Sequence, residues 1–323
     1  MNNDFEIDCN SNNNSSKKNN SKINLNNMVF EFISKVNNEI YEKLSDIANR
    51  CNEFDNVKNT FFIDDEDCKI DTNVESTEGI ENDNFFENYD TLEDNYPKVI
   101  IARMAEKIIG FISIYLIDES SAEICGFVLP EYRNNNIGNY LMEKFSNELE
   151  YFYISIPVAK DNKTAPNFLR TNGYYPSTTE CSMVINTEKI TDSLRNNNLD
   201  NNLMINTQDN ISEKDYCLNN NITFNKTENE NELIFEIFKD NNNIGSCHIS
   251  LFESCGCIHN VEISEDFRGN GYGKLLLLYS LNHVKSLCDN IILHVTKQNI
   301  PAYNLYKTLG FITTGEVIYY DNL

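Results

Sequence analysis

Three separated blocks of the 323-residue chain recur at nearly the same spacing. Gly110, in KVIIARMAEKIIGFISIYLID (98–118), has a counterpart 135 residues on in Gly245, within ELIFEIFKDNNNIGSCHISLF (232–252). Arg133, in EYRNNNIGNYL (131–141), is matched at the same offset by Arg268, in DFRGNGYGKLL (266–276). Asn162, Ala165 and Gly173 return as Asn299, Ala302 and Gly310 at an offset of 137. A chain that keeps register over three blocks is a tandem repeat of one fold, with room for two ordinary domains.

Each repeat reads the same way. A pair of β-type runs joined by a short polar turn predicts a hairpin. A further strand follows (122–129 in the first copy, ending at Ile263 in the second), then the arginine loop and an amphipathic helix. The first copy shows a second strand at 152–158. Before its hairpin, Val29, Ile33, Val36, Ile40, Leu44 and Ile47 recur at three or four residues and predict a helix from Leu25. The second copy has only Asn-rich sequence in that place. The expected divisions are an Asn-rich leader (1–24), a first unit (25–187), an Asn-rich linker (188–221) and a truncated second unit (222–323), which needs the first as a packing partner. Residues 64–95 are acidic, poor in aliphatics and read as loop.

Acids outnumber bases 50 to 26, for a net charge of −24. That balance argues against nucleic acid as a partner, whose phosphates need clustered cations; it reads first as a solubilising surface, with attraction of cationic amines as the alternative. No apolar stretch reaches the length of a membrane span and the start is polar, so neither membrane insertion nor export is expected. The ten cysteines include no CxxC pair and read as free thiols in a reducing cytoplasm. Zinc is not expected: none of the four histidines has ligand spacing to a cysteine pair.

The loop DFRGNGYGKLL has glycines where a backbone must approach an anion, ahead of a helix N-terminus whose N–H groups would bind it. A P-loop would need glycine at 268 and Ser or Thr after Lys274; Arg268 and Leu275 stand there. A dinucleotide fingerprint would need glycine at 276, which is Leu276. What remains is Arg-x-x-Gly-x-Gly, or a glycine-rich turn with no ligand.

Arg268, Gly269, Asn270, Gly271, Tyr272 and Gly273, with NIPAYNLYKTLGF about thirty residues on, resemble the GNAT superfamily of acyl-CoA-dependent N-acetyltransferases. The resemblance covers 222–323 well and 25–185 more weakly. It implies an α/β (α+β) fold of two tandem mixed-sheet domains, each with a mostly antiparallel sheet flanked by helices. It also implies that the loop holds the pyrophosphate of acetyl-CoA, with Lys274 touching a phosphate or lying free at the surface. Asn299 would bond the pantetheine arm, cap its helix, or both. Tyr306 would protonate the departing sulfur; the alternative is a core aromatic, since Ala302, Leu305, Tyr306 and Leu309 fall at helical spacing. Backbone N–H groups between Val261 and Ile263 would hold the carbonyl oxygen. Glu262 is the candidate base, with His259 and Glu253 as rivals and a water chain as the alternative.

The first copy is altered at these positions together. It has Asn134, Asn135 and Asn136 opposite the loop, Leu169 opposite Tyr306 and Phe127 opposite Glu262. It reads as intact in structure and inactive. The implied activity is acetyl transfer to a primary amine of a small molecule or peptide, in a cleft between the units. The alternatives are a non-catalytic acyl-CoA-binding regulator and transfer of a longer acyl group.

Overall fold

The computed structural model describes residues 28–59, 61–62, 96–190, 221–229, 232–252 and 254–322. The leader, the acidic stretch 64–95, residues 191–220 of the linker and Glu253 lie outside the described residues.

The first half gives strand β1 (Met28–Ile33), helix α1 (Asn38–Asp55), strands β2 (Val99–Met104), β3 (Lys107–Leu116) and β4 (Ser121–Val128), helix α2 (Ile137–Glu148), strand β5 (Tyr153–Ala159), helix α3 (Ala165–Thr171) and strand β6 (Tyr174–Asn186). The second gives strands β7 (Ile222–Glu228), β8 (Glu232–Lys239), β9 (Asn242–Leu251) and β10 (Cys255–Ile263), helix α4 (Tyr272–Val284), strand β11 (Asn290–Thr296), helix α5 (Ile300–Thr308) and strand β12 (Ile312–Asn322). Both predicted hairpins form, as β2–β3 and β8–β9. In β8 the period of two is plain: Leu233, Phe235 and Ile237 are buried and their neighbours are not.

The helix expected from Leu25 needs correction. Met28–Ile33 is an edge strand paired antiparallel to β2, from Met28 opposite Met104 to Ile33 opposite Val99. The run MVFEFI is rich in aromatic and β-branched residues, which suit a pleated surface, and Val29 and Ile33 satisfied a helical spacing only by coincidence. The helix begins at Asn38, where the Asn37 side chain accepts a hydrogen bond from the Ile40 N–H, and stops at Asn56 in the left-handed region.

The strands make one twelve-stranded sheet in the order β1-β2-β3-β4-β5-β12-β6-β11-β10-β9-β8-β7. The two halves exchange their last strands. β6 lies between β12 and β11, and β12 lies between β5 and β6. Cys181, Met183 and Ile185 of the first half are therefore buried in the core of the second. Reciprocally, Tyr320 is buried in the core of the first. Polar groups fix the seam. Asp321 accepts from the hydroxyls of Tyr153 and Ser155, and the Ile154 N–H donates to Asn322 at 2.6 Å. Glu316 of β12 receives Lys160 of the first half (2.8 Å) and Lys297 of the second (2.7 Å), which hold its carboxyl below the usual range.

Each half also has one parallel pair that parts early. β4 runs with β5 only over Ser121–Glu123, and β10 with β11 only over Cys255–Ile258. The splay leaves a cleft at the end of β4, where the first arginine loop stands, and the second loop stands at the corresponding end of β10.

The halves differ in what covers the other sheet face. In the first, Leu44, Ile47, Ala48 and Cys51 of α1 pack over Ile101, Phe111, Cys125 and Phe127. In the second, β7 leads to β8 in three residues, 229–231, with no room for a helix. Register shows how the sequence answers. Ile101, Phe111 and Phe127 form one cross-strand row; Glu236, Ser246 and Glu262 form its counterpart. An apolar row left open to water would cost free energy, and this one is polar instead.

No helix among the described residues is long and apolar enough to cross a membrane. Because Tyr320 belongs to the core of the opposite half, Tyr320→Ala is expected to cost about 3 kcal/mol. In urea it should shift a single transition read by circular dichroism; separate transitions for the two halves would contradict the exchanged sheet.

Candidate active site

The site is built from the end of β10, the loop after it, the start of α4 and one face of α5. β10 carries a bulge. Its pairing with β9 gains one residue between His259 and Glu262, where Asn260 has φ +48°. β4 pairs with β3 without interruption. The extra residue breaks the alternation, so His259 (opposite His248) and Glu262 (opposite Ser246) face the same side. Val261 and Ile263 pack toward the core beneath α4. Gly245 permits this approach of β9 to β10: a Cβ there would stand 2.4 Å from the Glu262 carbonyl oxygen. A bulge leaves the extra residue of the bulged strand out of the ladder, and here that residue falls between His259 and Glu262, next to the Val261–Ile263 segment.

Beyond Ile263 the chain makes a 3₁₀ turn, Glu265–Phe267. The Arg268 guanidinium turns back and its Nε–H donates to the Ile263 carbonyl at 2.8 Å. The Asn270 amide donates to the carbonyls of Phe267 (3.3 Å) and Arg268 (3.1 Å), fastening the loop from within. Gly269 and Gly271 flank it with φ of +77° and +83°, and a Cβ at either would meet nothing within 4 Å. That open space lies at the start of α4, whose first N–H groups have no intrahelical partners.

The first unit holds the same turn with asparagine. Asn134 and Asn136 adopt φ of +63° and +66°. The Asn135 amide donates to Tyr132 and Arg133, and Arg133 Nε–H donates to the Val128 carbonyl at 2.9 Å. Asparagine tolerates the left-handed region better than most residues, so the backbone survives the loss of glycine. The surroundings do not. The Asn136 side chain accepts from Asn139 at 2.6 Å, across the helix start, and Arg133 is paired with Asp55 of α1 at 2.7 Å. Among the described residues no carboxylate pairs with Arg268. Asp55 escaped the sequence reading because it lies 78 residues from its partner.

Tyr272 opens α4 and its hydroxyl accepts from Lys239 Nζ at 2.8 Å. Gly273 packs against Leu305 and Ile263. Lys274 is half-buried in the first turn. Asn299 caps α5, its side chain accepting from the Ala302 N–H at 3.3 Å, as Asn162 caps α3. Tyr306 points into the core and is only 7% exposed. Its ring meets Phe311 edge-on, and its hydroxyl has no hydrogen-bond partner among the described residues. Burial, with a smaller contribution from Cys247, pushes its phenol up to about 12. His259 Nε2 lies 2.9 Å from Ser250 Oγ and 3.4 Å from a Glu232 oxygen. The other rival base, Glu253, is outside the described residues.

One feature had no sequence signal. The cleft of the first unit encloses about 530 Å³ between β4, β5, α2 and α3, with apolar walls that include Phe111, Ile124 and Leu169 and with Arg133 at its mouth.

Two blocks of the chain, 60–174 and 200–311, match the Acetyltransferase (GNAT) family. Over 69 residues the chain is 33% identical to the mycothiol acetyltransferase of Thermobifida fusca (strain YX), a match spanning 21% of this chain and 21% of that protein. The structure of a GCN5-related N-acetyltransferase from Sphaerobacter thermophilus is similar at a TM-score of 0.55, with 12% identity over 92% of this chain and 96% of that one. A tandem GNAT protein from the clavulanic acid biosynthesis pathway, solved without AcCoA, reaches a TM-score of 0.48, with 12% identity over 69% and 81%. The family match falls on both halves and covers more than half of the sequence: the chain belongs to the GNAT family of acetyltransferases, as a tandem of two copies.

Proposed function

We propose that the protein transfers an acetyl group from acetyl-CoA to a primary amine, with acetyl-CoA held in the second unit. The observation that carries this reading is the open cradle of the second unit. Its glycines present bare backbone at a helix N-terminus, beside an arginine that has no carboxylate partner among the described residues, where the first unit has asparagine side chains and an Arg133–Asp55 ion pair. Such a cradle fits a pyrophosphate.

Acetyl-CoA would supply the acyl thioester; the chain's residues position it and move protons. The loop 268–273 and the first turn of α4 bind the anion, with Lys274 at hand. Asn299 holds the start of α5. Backbone N–H groups of Val261–Ile263 polarise the carbonyl. Glu262, on the open polar face, takes a proton as the amine forms the C–N bond. For a lysine-like amine this offsets a deficit of roughly 4 kcal/mol at neutral pH. Tyr306 donates its proton to the sulfur as the C–S bond breaks. Burial keeps this phenol protonated at neutral pH, so the proton is present, while making it a weaker acid than a free tyrosine. The acidic surface, at −24, favours a cationic acceptor.

A second reading has its own support. The 530 Å³ cleft of the first unit favours a non-catalytic site for an acyl-CoA-type ligand there, making the protein a regulator.

Three variants separate these. Gly271→Trp should abolish the thermal shift given by acetyl-CoA, while Asn136→Trp leaves it; the opposite pattern supports the second reading. Gly271→Asn, which copies the first unit, should keep the unfolding midpoint and weaken acetyl-CoA binding by roughly tenfold, or about 1.4 kcal/mol.

Tyr306→Phe is expected to slow thiol release by about 10²-fold with little change in KM for acetyl-CoA. In the wild type, any alkaline limb due to this phenol should fall near pH 12 rather than 10. A full rate in Tyr306→Phe would remove it as the acid.

A further inference from the structure

We infer that Glu232, His248 and His259 form a binding site for a divalent transition-metal ion, zinc being the fitting example. The three side chains come from three adjacent strands, β8, β9 and β10. Register brings them together: Glu232 stands opposite Ser250, His248 opposite His259, and both pairs lie in neighbouring rows on one sheet face. That face is the one α1 covers in the first unit, where the place of His248 is taken by Ser113 and that of His259 by Cys125.

The geometry is that of a three-ligand site. His248 Nδ1 lies 3.1 Å and His259 Nε2 3.4 Å from the same Glu232 oxygen. The ligand atoms all fall within 4.8 Å of one another. Zinc ligands at ~2.0–2.2 Å in tetrahedral directions stand ~3.3–3.6 Å apart, so small side-chain adjustments would enclose an ion. The side chains are 23–36% exposed, near enough to solvent for an ion to enter.

Hydrogen bonding at His259 is compatible with an ion in one tautomer. His259 Nε2 has two polar neighbours, Ser250 Oγ and the Glu232 carboxylate, but only one proton or one lone pair to offer. With Nε2 protonated it donates to the Glu232 carboxylate; in the other tautomer it accepts from Ser250 and its lone-pair side also meets a carboxylate oxygen, which is unfavourable. A cation between them makes that contact attractive. Two neutral imidazoles and one carboxylate suit zinc, and three protein ligands leave the fourth position open. Glu262 and Ser246 occupy the next row on the same face, about 7 Å along the strands, so the open position lies beside Glu262, the candidate base. Sequence spacing conceals the set, because the histidines are 11 residues apart on a hairpin and the carboxylate is on a third strand.

The test uses the full chain, stripped with a chelator and titrated with zinc chloride by calorimetry. We expect one ion per chain. His248→Ala and His259→Ala should each weaken binding by at least roughly tenfold, the cost of losing even an outer-shell partner. Cys255→Ser/Cys257→Ser should leave it in place. Should an alanine variant misfold by circular dichroism, Glu232→Gln, which keeps the shape, is expected to show the same weakening. Failure of the wild type to bind zinc, or binding lost with the cysteines and kept by the histidine and glutamine variants, overturns the proposal.

Discussion

The pairing of β6 with β12 holds the molecule together. These two strands, from opposite halves, run antiparallel from Ile312 opposite Val184 to Asn322 opposite Tyr174, and each continues the other half's sheet. Without that exchange the sheet would divide at β5 and β11, and each core would lose the side chains it borrows. The exchange also explains why an inactive copy would be retained. Its β6 is a wall of the second core, so the first unit is part of the second unit's structure whatever chemistry it carries.

Within this frame the two arginine loops show how a turn and a binding site separate. Both loops bring the chain from a strand into a helix through two left-handed positions and an internal asparagine staple. Glycine and asparagine both meet that backbone demand. Glycine puts no side chain into the space in front of the helix N-terminus, and among the described residues only the first unit's arginine has an acidic partner. The missing front helix has a parallel effect on the opposite face. Where α1 is absent, the sheet row beneath it becomes Glu236, Ser246 and Glu262, and His248 and His259 stand beside it. The truncation that made the second unit look incomplete thus gives it an open polar face next to the candidate chemistry.

Much of this was legible in the sequence. The repeat offset fixed the tandem arrangement, and alternation and glycine loops placed the hairpins and α4. The edge strand β1 gives no clean period of two, since MVFEFI is apolar at five of six positions, and Val29 and Ile33 also satisfy helical spacing. The strand exchange left no local signal, since nothing in the residues of a strand says which neighbour it pairs with. The bulge at Asn260 was hidden because one extra residue in β10 looks like a change in register offset. The Asp55–Arg133 pair and the Glu232–His248–His259 cluster depend on register and distance through space, not on spacing along the chain.

The central claim is that the second unit's loop is the acetyl-CoA site and the first unit's loop is its structural twin. A crystal structure of the protein soaked with coenzyme A tests it most directly. The account predicts diphosphate density over Gly269–Gly273 at the start of α4. Density over Asn134–Asn136 at the start of α2, with the second loop empty, would contradict it.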